Sequence, residues 1–278
     1  MNSRTKEGFY TLWTASILIC LAMSLFILIY TSVKGGGRAK TADTAHNDAA
    51  QSGQADDTVP DDGMAADPAV AVDTTVLPET ADAGDAYQAS LIFLGDSTTY
   101  DFVNNGLLPV YQVWVPANRT FSLLNEAIER IEYYTPGTTD TLQSLTIAEC
   151  AATAQPEYLV ITMGLNGMSY MDEATFKQYY TELVTTVQQA SPNTKIMCQS
   201  IFPTVDTKVG TGYENAYVLA ANQWVLDVAR QTGVRYLDTY GALLDDTGNL
   251  GYGADDGIHL TSQGCSIVLD YIRTHSYQ

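Results

Sequence analysis

The sequence predicts a three-layer α/β/α sandwich around a parallel central sheet, and three observations carry that prediction. Four short apolar runs, at residues 91–94, 158–163, 196–201 and 234–237, lack the polar alternation of a half-exposed strand. Continuous runs of this kind suit parallel strands covered on both faces. Segments of helical apolar period lie between them, so strand and helix alternate along the chain in the pattern of a wound sheet.

Each element has its own signal. Residues 112–115 supply a further strand, and residues 122–134 and 146–155 read as helices. Phe176, Tyr179, Tyr180, Leu183, Val184 and Val187 recur at helical spacing and form one stripe. Tyr217, Ala221, Trp224, Val225 and Val228 do the same, with Gly233 placed to end that helix. The last helix starts at Thr261 as N-cap and buries Ile267, Val268, Tyr271 and Ile272. Together these elements make one folded domain over residues 87–278.

The N-terminal third reads differently. After a tail at 1–10, no residue from Gly8 to Val33 is charged. About 20 apolar residues suffice to cross a bilayer, so 11–33 is expected to be a single transmembrane signal anchor. A cleaved signal peptide is the alternative, but its apolar core would be shorter. Lys34 and Arg38 follow the run, and Ile19 precedes Cys20 where a lipoprotein site needs a small residue. Residues 34–86 are rich in Ala, Asp and Thr and poor in aliphatic side chains, which predicts a disordered linker. A short tail, one span and a solvated stalk place the domain on the extracytoplasmic side of the cell membrane.

Charge and cysteine content exclude several classes. The net charge is −19, and residues 41–86 hold eleven acids and no Lys or Arg. The rest of the chain from Tyr87 holds twenty acids against eight bases, a surface that repels a nucleic-acid backbone. None of the four cysteines forms a CxxC pair, so Cys150, Cys198 and Cys265 read as small buried hydrophobes rather than zinc ligands or a disulfide framework. No metal site is expected. Residues 245–256 have the length of a calcium loop, but Leu250 stands where such a loop turns on Gly, and a turn-rich loop is the preferred reading.

The chemistry is carried by two loops and a third near the end. The first apolar run leads into Gly95-Asp96-Ser97, the second into Gly164-Leu165-Asn166, and Asp256-Gly257-Ile258-His259 precedes the last helix. Loops after parallel strands open on one edge of the sheet, where ligands bind. A serine hydroxyl needs a base, and the base works best when a carboxylate orients it. The chain has three histidines: His46 in the linker, His275 fourth from the end, and His259, the leading candidate in the folded domain, with Asp256 three residues earlier to accept its other ring N–H.

In these motifs, from about Ser90 to the C-terminus, the chain resembles the SGNH hydrolases, or GDSL esterase/lipase family. The resemblance implies a flavodoxin-like sandwich in which Ser97 is the nucleophile, His259 the base and Asp256 its orienting carboxylate. It implies an oxyanion hole made by the Ser97 N–H and the Asn166 side chain, with Gly95, Asp96 and Gly164 supporting the motifs. It implies no cofactor, and an ester substrate: O-acyl groups, acetyl among them, on glycans, with lipid esters as a second option. Two positions depart from the family pattern. Gly167 stands where Asp is usual, and no glycine block follows the second strand, so a third oxyanion donor is expected from residues 117–120. A glycan-binding module that has kept the fold and lost turnover is the alternative to the enzyme, and an acyltransferase would share the same first step.

Overall fold

Both faces of the sheet are covered by helices, which is why its strands carry no polar alternation. The computed structural model describes residues 73–138, 142–205 and 210–278. A helix α1 (Gly84–Ser90) leads into β1 (Leu91–Gly95), and α2 (Ser97–Asn104) follows after one residue. Next come β2 (Val113–Trp114), the hairpin β3 (Ile131–Tyr134) and β4 (Leu142–Leu145), and α3 (Ile147–Ala154). The chain then alternates through β5 (Tyr158–Thr162), α4 (Glu173–Ala190), β6 (Lys195–Gln199), α5 (Asn215–Thr232), β7 (Arg235–Leu237) and α6 (Ser262–Thr274). The central sheet is parallel throughout, in the order β2-β1-β5-β6-β7.

Successive residues of a strand point to opposite faces, and this sheet uses both. Leu91, Phe93, Val160 and Met197 pack with Phe102 of α2 and with Val268 and Ile272 of α6. Ile92, Leu94, Leu159 and Ile161 pack on the other side with Phe176, Leu183 and Val187 of α4 and Val225 of α5. The predicted three-layer sandwich is therefore the observed one. The cysteines 150, 198 and 265 are buried and free, and burial pushes each thiol up to about 12.

Three expectations are corrected. Residues 122–134 form no α-helix: a single 3-10 turn at Leu123–Asn125 is followed by β3, paired antiparallel with β4. Ile131 and Tyr133 are buried while Glu132 and Tyr134 are half-buried, a period of two rather than 3.6. Gly137, at φ 78°, supplies a left-handed residue shortly after β3. The stripe of α5 is also shifted, since Tyr217 is 48% exposed and Val218 takes the buried place.

The third correction concerns the linker expected over 34–86. From residue 73 the chain is part of the domain. Tyr236 of β7 donates its N–H to the Thr75 carbonyl at 2.8 Å, and Leu77 donates to the Tyr236 carbonyl at 2.9 Å. Leu77 is buried, and Asp73 pairs with Arg230. Val76 and Leu77 are two aliphatic residues in a polar stretch, and their placement against β7 is enough to seat it. The tail 1–10, the span 11–33 and the linker up to residue 72 lie outside the described residues. Among the described residues no helix is long and apolar enough to cross a membrane.

Candidate active site

The site is assembled at the carboxyl edge of the sheet, from the turn after β1, the loop after β5 and the loop before α6. Gly95 closes β1 where only a hydrogen fits: a Cβ there would overlap the hydroxyl oxygens of Thr99 and Thr162 and lie 2.8 Å from Thr99 Cβ. Asp96, fully buried, is the N-cap of α2, and its Oδ1 accepts from the Thr98 N–H at 3.0 Å and the Thr98 hydroxyl at 2.8 Å. Ser97 is thereby the first residue of the helix. Its N–H belongs to the unpaired donors of a helix start, which make up the positive end of the helix dipole.

The loop before α6 delivers an imidazole. Gly257, at φ 69°, turns the chain so that Asp256 Oδ1 accepts from the N–H groups of Ile258 at 2.9 Å and His259 at 3.0 Å. Asp256 Oδ2 lies 2.5 Å from His259 Nδ1, and His259 Nε2 lies 2.9 Å from Ser97 Oγ. With the proton on Nδ1 donated to Asp256, Nε2 is an acceptor and the Ser97 hydroxyl donates to it. Residues 162 apart in sequence are thus within one hydrogen bond.

The carboxylates in and behind this chain differ in their electrostatics. Burial works against the charge of Asp256, but hydrogen bonds from the His259 ring and from the two backbone N–H groups outweigh it, holding the acid at about 2. Asp256 therefore stays ionised through the neutral range. Asp96 goes the other way: burial pushes it up to about 6 against the pull of its Thr98 bonds. Asp101 is also raised to about 6 by burial, opposed by the Leu260 N–H and by His259.

Asn166 sits in the site, but its amide is engaged. Nδ2 donates to Asp96 Oδ2 at 2.8 Å and to the Phe121 carbonyl at 3.1 Å, which uses both of its hydrogens. To serve an oxyanion, the amide must release one of these partners, and the longer bond to Phe121 is the weaker hold. The loop after β2 consequently reaches the site at Phe121, one residue beyond the stretch 117–120 expected to supply a third donor. Arg119 fixes that loop: at φ 60° it donates to the Pro116 carbonyl, pairs with Glu132 at 2.5 Å and lies over the Tyr100 ring.

The departure at Gly167 has a local cause. Gly167 adopts φ 95°, a backbone conformation that strains any residue with a side chain, and a Cβ there would also lie 2.9 Å from Ser122 Oγ. Gly164, at φ 130°, is similarly crowded by Ile201. Asp245 in the turn-rich loop spends its Oδ1 on the Thr247 and Asn249 N–H groups and the Thr247 hydroxyl. Among the described residues, no group of His, Cys, Asp and Glu is arranged to hold a metal ion.

The sequence reading missed Asp101. It is one helical turn beyond Ser97 on α2, is 6% exposed, and its Oδ2 accepts the N–H of Leu260 at 2.9 Å. The signal available was an acidic residue four positions after the serine, on the serine's own helix face and beside the buried Phe102.

A model of the GDSL-like lipase/acylhydrolase family matches residues 93–267. A search of curated proteins by sequence gives no match. Among solved structures, the chain is similar to a GDSL-like lipase from Bacteroides thetaiotaomicron at 14% identity and a TM-score of 0.47, covering 69% of this chain and 89% of that one. It is also similar to a carbohydrate esterase of family 3 from Talaromyces cellulolyticus, at 16% identity and a TM-score of 0.45, covering 66% and 93%. An acetyl xylan esterase shares 14% identity at a TM-score of 0.45, covering 66% and 96%.

Proposed function

The chain belongs to the GDSL-like lipase/acylhydrolase family and is a carboxylic ester hydrolase, and we propose that it acts through Ser97, His259 and Asp256 on short O-acyl esters, acetyl foremost, carried by glycans. The observation that carries this reading is the continuous path from Ser97 Oγ through the His259 ring to Asp256, with contacts of 2.9 and 2.5 Å. Ser97 Oγ attacks the ester carbonyl carbon while its proton passes to Nε2. The imidazolium is stabilised by the ionised Asp256. The carbonyl oxygen gains negative charge and is met by the Ser97 N–H and by Asn166 once it yields the Phe121 carbonyl. Collapse expels the alcohol, which takes the proton from His259. Water, deprotonated by the same nitrogen, then attacks the acyl-serine and frees the acid and the hydroxyl.

One feature supports the choice of ester. The side chains of His259 and Asp256 are 34% and 48% exposed, so the base stands at an open rim where a bulky alcohol such as a polysaccharide can approach. That openness suits the large alcohol of an O-acylated glycan. The uncharged run at 11–33 supports tethering to the cell membrane, with the domain on the extracytoplasmic side.

A second reading, a glycan-binding module with little turnover, is favoured by the engaged amide of Asn166. Treatment of the full chain with a fluorophosphonate probe, with Ser97→Ala as control, separates the two. Labelling of the parent and not of the variant, with acetate released from an acetylated glycan, is the expected result. An unlabelled parent that still binds the glycan refutes the enzyme.

A further inference from the structure

We propose that Asp101 is a positioning residue for His259: its carboxylate latches the base-bearing loop to the helix that carries the nucleophile. The inference rests on the esterase reading above. Residues 97 and 101 lie one above the other on α2, because four positions make just over one helical turn. The helix therefore presents a hydroxyl at one level and a carboxylate at the next. Asp101 Oδ2 takes the N–H of Leu260, the residue after the base, at 2.9 Å. One turn further, Asn105 Nδ2 lies 3.4 Å from the carbonyl oxygen of the same Leu260 and 3.7 Å from Cys265 Sγ. Leu260 is thus held at both of its backbone polar groups by side chains of one helix.

Stability alone does not account for this carboxylate. Asp101 is almost completely buried, and none of the described ion pairs includes it. A buried acid without a cation is expensive, and an apolar side chain of similar size would pack beside Phe102 at less cost. What the acid supplies is an acceptor for Leu260. The rest of the loop is tied to other segments: the Gly257 carbonyl receives the Val205 N–H at 3.2 Å, the His259 carbonyl receives the Ala254 N–H at 2.7 Å, and Asp256 takes the N–H groups of Ile258 and His259. None of these bonds reaches α2, so Asp101, with Asn105 at the helix C-cap, is what ties the segment between Gly257 and Thr261 to the helix that carries Ser97. Without Asp101 the loop keeps its own bonds but loses its shorter tie to that helix.

Asp101→Leu and Asp101→Asn in the full chain test the idea against a soluble acetyl ester, with fluorophosphonate labelling in parallel. The leucine variant lacks an acceptor, and its kcat should fall by about 10²-fold, the loss expected from a misplacement of about 1 Å. KM should change little, and the labelling rate should fall together with kcat. Asparagine keeps an acceptor oxygen in the same place and should restore most of the rate. Parent-like kcat in Asp101→Leu overturns the inference and leaves the esterase standing, as does an asparagine variant that is no better than leucine. A parent that neither labels nor hydrolyses overturns both. Should Asp101→Leu fail to fold, Asn105→Ala decides: a drop in kcat of roughly threefold or more, at unchanged KM, is expected from the weaker half of the clamp, and an unchanged kcat refutes it.

Discussion

Replacing Gly95 with Ala should destabilise the protein well beyond the usual cost of a methyl group. The glycine ends β1 opposite Thr162, and the added carbon would overlap the hydroxyl oxygens of Thr99 and Thr162. Those two hydroxyls bond each other, and Thr162 Oγ1 donates on to the Leu94 carbonyl at 3.2 Å. Thr99 is fully buried, so a hydroxyl pushed off Thr162 finds no water. Losing that partner costs about 1–3 kcal/mol. Crowding in a packed interior adds about 1–3 kcal/mol more. The sum, roughly 2–6 kcal/mol, is a large share of the 5–15 kcal/mol typical of a domain. Urea unfolding measures it as a lowered midpoint at unchanged slope. Thr99→Ala removes one of the obstructing oxygens, so it should destabilise the parent and rescue the alanine variant, a reversal of sign visible in a double-mutant cycle. Gly95→Ala within about 0.5 kcal/mol of the parent, or an effect of Thr99→Ala that is the same in both backgrounds, would show that the close approach at Gly95 is not real.

Two further substitutions separate the roles of the carboxylates. Asp96 is raised by burial from 3.8 to about 6, so the folded state keeps a proton that the unfolded chain releases, and stability falls as pH rises through that window. Asp96→Asn removes this dependence; its stability relative to the parent should improve by on the order of 3 kcal/mol between pH 4 and pH 7.5, read from denaturant curves at the two pH values. A pH-independent difference would mean that no charge is buried there. Asp256→Asn should lower kcat/KM by on the order of 10²-fold, less than the roughly 10⁴-fold of an enclosed triad because solvent screens this carboxylate. Since Asp256 titrates near 2, the acid limb of the parent's pH–rate profile should not report it, and a parent limb near pH 4 that disappears in the variant would contradict the assignment.

Much of the fold was legible because its strands are short, apolar and buried on both faces. Thr261 capped α6 and Gly233, at φ 73°, ended α5 as their residue types predicted. The approach of Ser97, His259 and Asp256 to one another was legible for a related reason: few imidazoles were available, and local motifs at strand ends converge on one edge of a parallel sheet. What escaped was information held between segments. The alternation of residues 131–134 spans only four positions and becomes a strand by pairing with β4. The seat of Leu77 depends on β7, some 160 positions away. The bond from Asn166 to the Phe121 carbonyl joins loops whose sequences carry no mark of each other. Asp101 belongs to no motif, and its partner, the Leu260 N–H, comes from a loop some 160 positions away.

The strap over β7 has a consequence for how copies of this chain behave when crowded. A parallel sheet that ended on a bare strand would offer a row of free amides and carbonyls to any neighbour. Here one margin is covered by Thr75 and Leu77, which take up the Tyr236 backbone. The opposite margin, at β2, passes into the hairpin through the Glu132 N–H on the Val115 carbonyl. What remains outermost is the four-residue β4, where the Arg130 side chain already occupies the Ser144 carbonyl. Among the described residues, both borders of the central sheet are therefore partly covered, which lowers the chance that crowding leads to aggregation by strand-to-strand pairing there.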